Sequence, residues 1–96
     1  MITVKVHTIL RLREILEGST FGFSLPEQST VQDLLSVMAE KWGEKFSSYV
    51  LDDAGTVLKP YIRMMVNGRD IPFLQGMETV LHDQDEIHIL PPAAGG

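Results

Sequence analysis

The chain has 96 residues, of which 44% are hydrophobic and 22% are charged, and its formal net charge is −5. This length is enough for one domain with a single core, and it disfavours an enzyme that builds an elaborate site between two lobes. The negative charge repels a phosphate backbone, so it argues against a nucleic-acid partner.

The absence of cysteine excludes disulfides, thiolate nucleophiles and thiolate metal sites. The N-terminus alternates polar and apolar residues instead of forming the apolar block of a signal peptide. No stretch approaches the length of a membrane span. We therefore expect a cytoplasmic protein that has no membrane partner.

The first quarter of the chain predicts two strands with a short helical segment between them. Apolar residues alternate with polar ones in two stretches: Ile2, Val4 and Val6 in the first, and Phe21, Phe23 and Leu25 in the second. This period of two is typical of half-buried strands, and we expect the two strands to pair. Between them, Leu12, Ile15 and Leu16 stand at helical spacing before Gly18, which predicts a helical turn or an ordered loop.

Thr30 begins the one long amphipathic helix that the sequence predicts. Its hydroxyl can cap the first turn, and Asp33 three residues later favours the positive end of the helix dipole. An apolar stripe follows at helical spacing, made of Val31, Leu34, Leu35, Met38, Ala39 and Trp42. Gly43 stands where the helix should end. Such a stripe is typical of a helix face that packs on the core.

The middle of the chain is less regular. Tyr49-Val50-Leu51 indicates a short strand or a turn, and residues 52–55 carry a turn signal. From Tyr61 the alternation returns, with Ile62, Met64 and Val66 on one face and Tyr61, Arg63 and Met65 on the other. Asn67-Gly68 then predicts a tight type I′ hairpin, after which residues 69–71 should return alongside.

Two further stretches precede the end of the chain. We expect Phe73, Leu74 and Met77 to cover the end of the core, and residues 79–81 to add a short extended piece. The last strand runs from Glu86 to Leu90. It places Ile87 and Ile89 on one face, and Glu86, His88 and Leu90 on the other.

Six residues follow this strand without a linker, in the order Pro-Pro-Ala-Ala-Gly-Gly. The prolines favour an extended backbone, and the glycines carry no Cβ. At roughly 3.3 Å per residue the tail reaches about 20 Å, which is enough to enter another protein's active site. We therefore divide the chain into a folded domain over residues 1–90 and a flexible reactive tail over residues 91–96.

Together these elements predict an α+β fold in which a mixed sheet packs on one main helix. The order of two strands, a helix and further strands is that of the β-grasp, or ubiquitin-like, arrangement. Its extended Gly-Gly tail leaves from the last strand.

Inside the predicted domain we find no catalytic centre. His7, His82 and His88 lie in three segments without a known ligand spacing, so we expect no metal site. The glycines before the tail occur singly, so no loop is expected to hold ATP. Two groups of carboxylates are predicted to be solvated turn residues: Asp52 with Asp53, and Asp83 with Asp85 and Glu86.

The α-carboxylate of Gly96 is the group that remains. A carboxylate is a poor electrophile, so it must first be activated, typically as an acyl-adenylate that a partner makes with ATP. Gly95 and Gly96 would let the backbone approach the nucleotide phosphate closely.

Four segments carry a resemblance to a known family. They are the tail from Ile89 to Gly96, the Val66-Asn67-Gly68 hairpin, the approach from Asp83 to Ile87, and the helix start from Thr30 to Leu35. These segments resemble the small subunit of molybdopterin synthase and related ubiquitin-like sulfur carriers.

The resemblance implies a β-grasp protein whose Gly96 is adenylated by a ubiquitin-activating-type adenylyltransferase and converted to a thiocarboxylate. In this chemistry the partner uses the ATP, and the carrier binds no cofactor. The resemblance further implies that Gly95 fits the partner's channel. The sulfur acceptor would be the precursor pterin, which the molybdopterin synthase large subunit binds.

Other roles stay open. Residues 43–60 form a longer stretch than in compact members, and longer carriers also serve other acceptors, so sulfur delivery to cysteine or thiamine biosynthesis is an alternative. A ubiquitin-like modifier uses the same adenylate but ends in an isopeptide bond to lysine, and a binding module would leave the tail inert. For partner contact we expect Leu90 and Met65, which alternation places opposite the core face, and Ala94 in the tail.

Overall fold

The computed structural model describes residues 1–92 and shows a five-stranded mixed sheet whose one face is covered by helices. The strands are β1 (Ile2–Thr8), β2 (Thr20–Leu25), β3 (Arg63–Val66), β4 (Arg69–Asp70) and β5 (Glu86–Leu90). The helices are α1 (Leu10–Leu16), α2 (Val31–Trp42) and α3 (Glu44–Val50), and two short 3-10 turns span Ile71–Phe73 and Gly76–Glu78.

The strand order across the sheet is β2-β1-β5-β3-β4. β1 pairs antiparallel with β2 and parallel with β5, and β3 pairs antiparallel with both β5 and β4. The last strand in the chain is therefore the middle strand of the sheet. This topology confirms the predicted β-grasp architecture.

The core lies between the sheet and the helices. Along β1 and β5 every second side chain is buried, with Val4, Val6, Ile87 and Ile89 fully enclosed. The other side chains of these strands form an open face of the sheet. Across the core, α2 contributes four buried apolar side chains: Val31, Leu34, Leu35 and Met38.

Helix α2 begins at the predicted residue. Thr30 Oγ1 accepts from the Asp33 backbone N–H at 3.3 Å, and the Thr30 N–H donates to Asp33 Oδ2 at 2.9 Å. This reciprocal capping box satisfies backbone donors that a helix start would otherwise leave free. Gly43 ends the helix with φ of 68°, a conformation that favours glycine.

The predicted strand or turn at residues 49–51 is wrong for Tyr49 and Val50, which lie in α3. Gly43 turns the chain, and the helix restarts with Phe46 and Val50 four residues apart on its buried side. Leu51 then bridges to Leu58, and the Lys59 N–H donates to the Val50 carbonyl at 2.9 Å. Residues 43–60 are thus folded and contribute Phe46, Val50 and Leu51 to the core.

The segment after the hairpin differs from expectation in two places. Asn67 and Gly68 have φ of 51° and 85°, as the predicted type I′ turn requires, but the returning strand β4 has only two residues. The 3-10 turn that follows buries Ile71 and leaves Phe73 85% exposed, so the prediction that Phe73 covers the core is wrong. Leu74 and Met77 do pack partly against the core.

Over residues 1–92, no helix is both long and apolar enough to cross a bilayer.

Candidate functional site

The root of the tail is fixed by the middle strand of the sheet. β5 lies between β1 and β3, and its own side chains Ile87 and Ile89 are fully buried on the core side of the sheet. Beyond Leu90, Pro91 is buried and Pro92 is half-buried, so the chain stays against the domain through the two prolines. A tail attached here leaves from a strand that is paired on both sides.

The predicted reactive residues Gly95 and Gly96 lie outside the described residues, as does Ala94. Their roles stay predictions. The structure bears on the tail through the residues that hold its root and the surface around it.

Leu90 and Met65 lie on the open face of the sheet, opposite the core side, as alternation predicts. Leu90 is half-buried and pairs with Arg63, and Met65 is half-buried and pairs with His88. The register therefore makes Leu90 and Met65 diagonal neighbours on one surface beside the root of the tail. Their placement is confirmed, and their contact with a partner stays a prediction.

The open face also carries a cluster of three polar side chains that sequence reasoning missed. The rings of His7 and His88 stack with centroids 4.6 Å apart, and His7 Nε2 lies 2.5 Å from Glu86 Oε1. The hydrogen bond from His7, followed by the positive charges of His7, Lys5 and His88, lowers the pKa of Glu86 below its ordinary value. The parallel pairing of β1 with β5 brings these residues together, and no local sequence signal reveals that pairing.

The start of β5 is held by the tip of the β3–β4 hairpin. Asn67 Nδ2 donates to Asp85 Oδ1 at 2.9 Å, and Asn67 Oδ1 accepts from the Glu86 N–H at 2.9 Å. Asp85 also accepts from the His82 N–H at 2.8 Å. Asp85 is only 8% exposed, so the prediction that it is a solvated turn residue is wrong. Its carboxylate is instead satisfied by these donors and anchors the last strand.

Metal ligands are not gathered anywhere in the part of the chain that the structure describes. Over residues 1–92, no group of three or more His, Cys, Asp or Glu side chains could hold a metal ion. The stacked rings of His7 and His88 turn their faces, and not their nitrogens, towards each other. His82 lies apart from them with its side chain 79% exposed.

Comparison with known proteins identifies the family. The ThiS family profile matches residues 9–96. The chain belongs to the ThiS family. Among curated relatives, it is 29% identical over 84 residues to small archaeal modifier protein 3 of Haloferax volcanii, covering 88% of each chain. It is 33% identical over 70 residues to an Archaeoglobus fulgidus protein assigned as a sulfur carrier, covering 73% of this chain and 77% of that one.

Solved structures of similar proteins agree with this fold. Small archaeal modifier protein 1 of Methanosarcina acetivorans matches with a TM-score of 0.80 and 33% identity, over 100% of this chain and 98% of that one. A Pyrococcus furiosus protein assigned as subunit 1 of a molybdopterin converting factor matches with 0.77 and 26%, over 97% and 100%. CysO of Amycolatopsis orientalis, solved in complex with BexX, matches with 0.74 and 26%, over 97% and 99%.

This ThiS-family protein therefore has the fold that sulfur carriers and ubiquitin-like modifiers share. The family match extends to Gly96, so it includes the tail that the sequence singled out. The relatives' names divide between modification and sulfur transfer.

Proposed function

We propose that this protein is a sulfur carrier that works through the carboxylate of Gly96. A ubiquitin-activating-type partner enzyme would use ATP to adenylate this carboxylate, and sulfur would then replace the adenylate to give a thiocarboxylate. Because ATP is consumed, we place the reaction in the cytoplasm. The carrier itself would contribute no cofactor.

One observation carries the proposal: a ThiS-family match that runs through Gly96 on a domain whose middle strand leads directly into the tail. The paired neighbours of β5 keep the root of the tail in a fixed direction. The glycines at the end would let the acyl carbon approach the partner's nucleotide without a Cβ in the way. A compact domain of this kind would present the carboxylate of Gly96 to the partner enzyme that activates it.

The open face around Leu90 and Met65 is the surface that we propose the partner contacts. It combines two half-buried apolar side chains with the His7, Glu86 and His88 cluster. Interfaces of transient partners commonly mix an apolar centre with a polar rim.

For the final acceptor we propose the precursor of molybdopterin, bound by a large subunit of the molybdopterin synthase type. The support is the Pyrococcus furiosus structure, which covers nearly the whole chain at 26% identity. Cysteine and thiamine biosynthesis are the alternative destinations for the same thiocarboxylate.

A second candidate function is a protein modifier, and the names of the Haloferax volcanii and Methanosarcina acetivorans relatives favour it. The adenylate would be the same, but the acyl group would pass to a lysine of a target protein. Both functions could draw on one activated tail, because they diverge only after adenylation.

Intact-mass spectrometry tests the shared step. We expect the protein, co-expressed with its activating enzyme and a sulfur donor, to gain the mass of one oxygen-to-sulfur exchange at its C-terminal residue. Gly96→Ala is the matched variant, because it keeps the carboxylate and adds one methyl group beside it, and we expect it to be converted poorly. An unmodified wild-type protein under conditions of active sulfur transfer would contradict the proposal.

Affinity capture then separates the two functions. Recovery of a large molybdopterin synthase subunit would support the first, and recovery of proteins joined to Gly96 through lysine would support the second.

A further inference from the structure

The two edge strands of the sheet, β4 and β2, differ in length and in charge. The β4 edge is short and charged: Arg69 and Asp70 are its only two residues, and Asp70 forms an ion pair with Arg63 at 2.6 Å. Pro72 follows after Ile71. Short length, charge and proline are the devices by which natural sheets keep another strand from pairing with an edge.

Along its own six residues the β2 edge has none of these devices, and Pro26 follows only after its last residue, Leu25. Its six residues, Thr-Phe-Gly-Phe-Ser-Leu, carry no charge and no proline, and they pair one to one with β1 without a bulge. No residue of the strand has a positive φ that would bend it. Thr20, Gly22 and Ser24 are exposed, so within residues 1–92 no element covers them.

The hydrogen-bond pattern shows which backbone groups this edge leaves open. Just past the ladder, the Thr8 N–H donates to the Ser19 carbonyl at 2.9 Å, so these two residues form a hydrogen-bonded pair. Such pairs alternate along an antiparallel ladder. The register then makes Phe21, Phe23 and Leu25 the residues of β2 that bond to β1.

The other side of β1 supports this assignment. The Lys5 N–H donates to the Asp85 carbonyl at 3.0 Å, and the Thr3 carbonyl accepts from the Gln84 N–H at 2.7 Å. The odd-numbered residues at this end of β1 therefore face β5. It follows that the N–H and C=O groups of Thr20, Gly22 and Ser24 point away from the sheet.

Helix α2 borders this edge, and one side of the helix carries an acidic residue near one end and a basic residue near the other. Asp33, Val37 and Lys41 stand four residues apart and share one side of the helix. Asp33 and Val37 lie beside Leu25 in one surface groove. Lys41 lies 5.4 Å from the ring of Trp42, which packs edge-on against Phe21 at 4.8 Å. An acidic group thus marks one end of β2 and a basic group the other.

A two-fold rotation brings the acidic end of one copy next to the basic end of the other. When a second copy is placed antiparallel beside β2, its basic end meets the acidic end of the first, and the half-buried Val37 side chains lie between them. Of the other acidic groups near the edge, Glu27 is paired with the N-terminal ammonium at 3.2 Å, while Glu40 is exposed on the same helix. Complementary charge of this kind selects orientation as well as partner.

We propose that two copies of this protein pair antiparallel through β2, about a two-fold axis near Gly22, so that two five-stranded sheets become one. The outward backbone groups of Thr20, Gly22 and Ser24 supply the hydrogen bonds. Because β2 lies two strands away from β5, this pairing leaves the open face near Leu90 free in each copy. The inference does not depend on the sulfur-carrier proposal.

Light scattering and sedimentation of the full chain test the pairing. From micromolar to millimolar concentration, we expect the average mass to rise from the 10.7 kDa of one chain towards twice that value. In parallel, amide exchange at Thr20, Gly22 and Ser24 should slow as concentration rises. A mass that stays at one chain throughout, with no change in exchange, overturns the proposal.

Gly22 provides a matched pair of variants. A Cβ at this position meets no atom within 4 Å, so Gly22→Ala fits and keeps the outward N–H. Gly22→Pro removes that N–H, at a position where an edge strand tolerates proline because the N–H is not used inside the sheet. We expect the alanine variant to pair like the wild type and the proline variant to remain a single chain. Equal pairing by both variants overturns the proposal.

A charge variant keeps the test decisive if Gly22→Pro folds poorly. Lys41→Glu places two acidic ends against each other and should weaken pairing at least several-fold. Lys45→Glu makes the same charge change away from the edge, where Lys45 lies 4.0 Å from Glu17, and should pair more tightly than Lys41→Glu. Equal affinities for these two variants would contradict the two-fold arrangement.

Discussion

Glu86 has a carboxylate whose surroundings come from two strands nearly 80 positions apart in the sequence. It accepts a hydrogen bond from His7 on β1, and that bond, ahead of the nearby positive charges, lowers its pKa below the ordinary value of 4.5. The ionised form is therefore more favourable in the folded chain than in the unfolded chain. Its contribution to stability is present above the ordinary carboxyl pKa and is lost as the pH falls through the lowered value.

We predict that Glu86→Gln lowers the melting temperature at neutral pH by a few degrees at most, because the side chain is 48% exposed and water screens the interaction. The melting temperatures of the variant and the wild type should converge in acid, where the wild-type carboxyl is protonated. Calorimetry over a series of pH values measures this.

Glu40→Gln is the control for charge alone, since Glu40 is exposed on α2, away from the His7 cluster. If both variants gave the same pH profile, the stabilising role of the His7 hydrogen bond would be wrong.

Helix α3 is not predicted by the sequence pattern, although two of its side chains belong to the core. It has only seven residues, so few turns display its period. Phe46 and Val50 are nevertheless fully buried, and Phe46 approaches Trp42 of α2 with ring centroids 6.2 Å apart. The longer middle stretch of this chain is thus held by packing.

We predict that Phe46→Ala lowers the free energy of unfolding by about 3–5 kcal/mol, because it removes a large buried side chain and leaves a cavity. This is a large part of the roughly 5–15 kcal/mol that stabilises a typical domain. Val57→Ala, at a side chain that is 49% exposed in the same stretch, should change it little. Urea unfolding measures both, and similar values for the two variants would show that α3 is peripheral.

The sequence predicts those elements whose signals are local and repeated. Alternation locates β1 and β5, and Thr30 with Asp33 marks the start of α2, because capping and periodicity act within a few residues. The His7 cluster and the burial of Asp85 depend on which strands become neighbours, and pairing across the sheet leaves no local mark. The exposure of Phe73 follows from a 3-10 turn whose three residues are too few to show a period.

In the candidate site, too, the sequence predicts some features and leaves others hidden. Leu90 and Met65 lie on the open face because alternation along each strand determines it, whereas their adjacency depends on the antiparallel register of β3 and β5. The sequence singles out the tip of the tail by its composition, by its place directly after the last strand and by the resemblance to sulfur carriers, and Gly95 and Gly96 lie outside the described residues.

At the scale of the molecule, the fold separates stability from reactivity. The buried apolar core is built from residues that precede the two prolines. We predict that deletion of Gly95 and Gly96 leaves the melting temperature unchanged, because no core side chain is removed, and abolishes sulfur transfer. Calorimetry and the mass assay measure the two effects on one sample. Retention of biological function after this deletion would indicate a binding module with an inert tail.

The placement of β5 in the middle of the sheet also makes the whole sheet depend on a strand near the end of the chain. A chain broken or terminated before Glu86 leaves β1 and β3 without the strand that joins them, and the sheet falls into two halves with exposed apolar faces. Fragments that end before β5 should therefore be unable to form the five-stranded sheet, whereas chains that lose only Gly95 and Gly96 keep every strand.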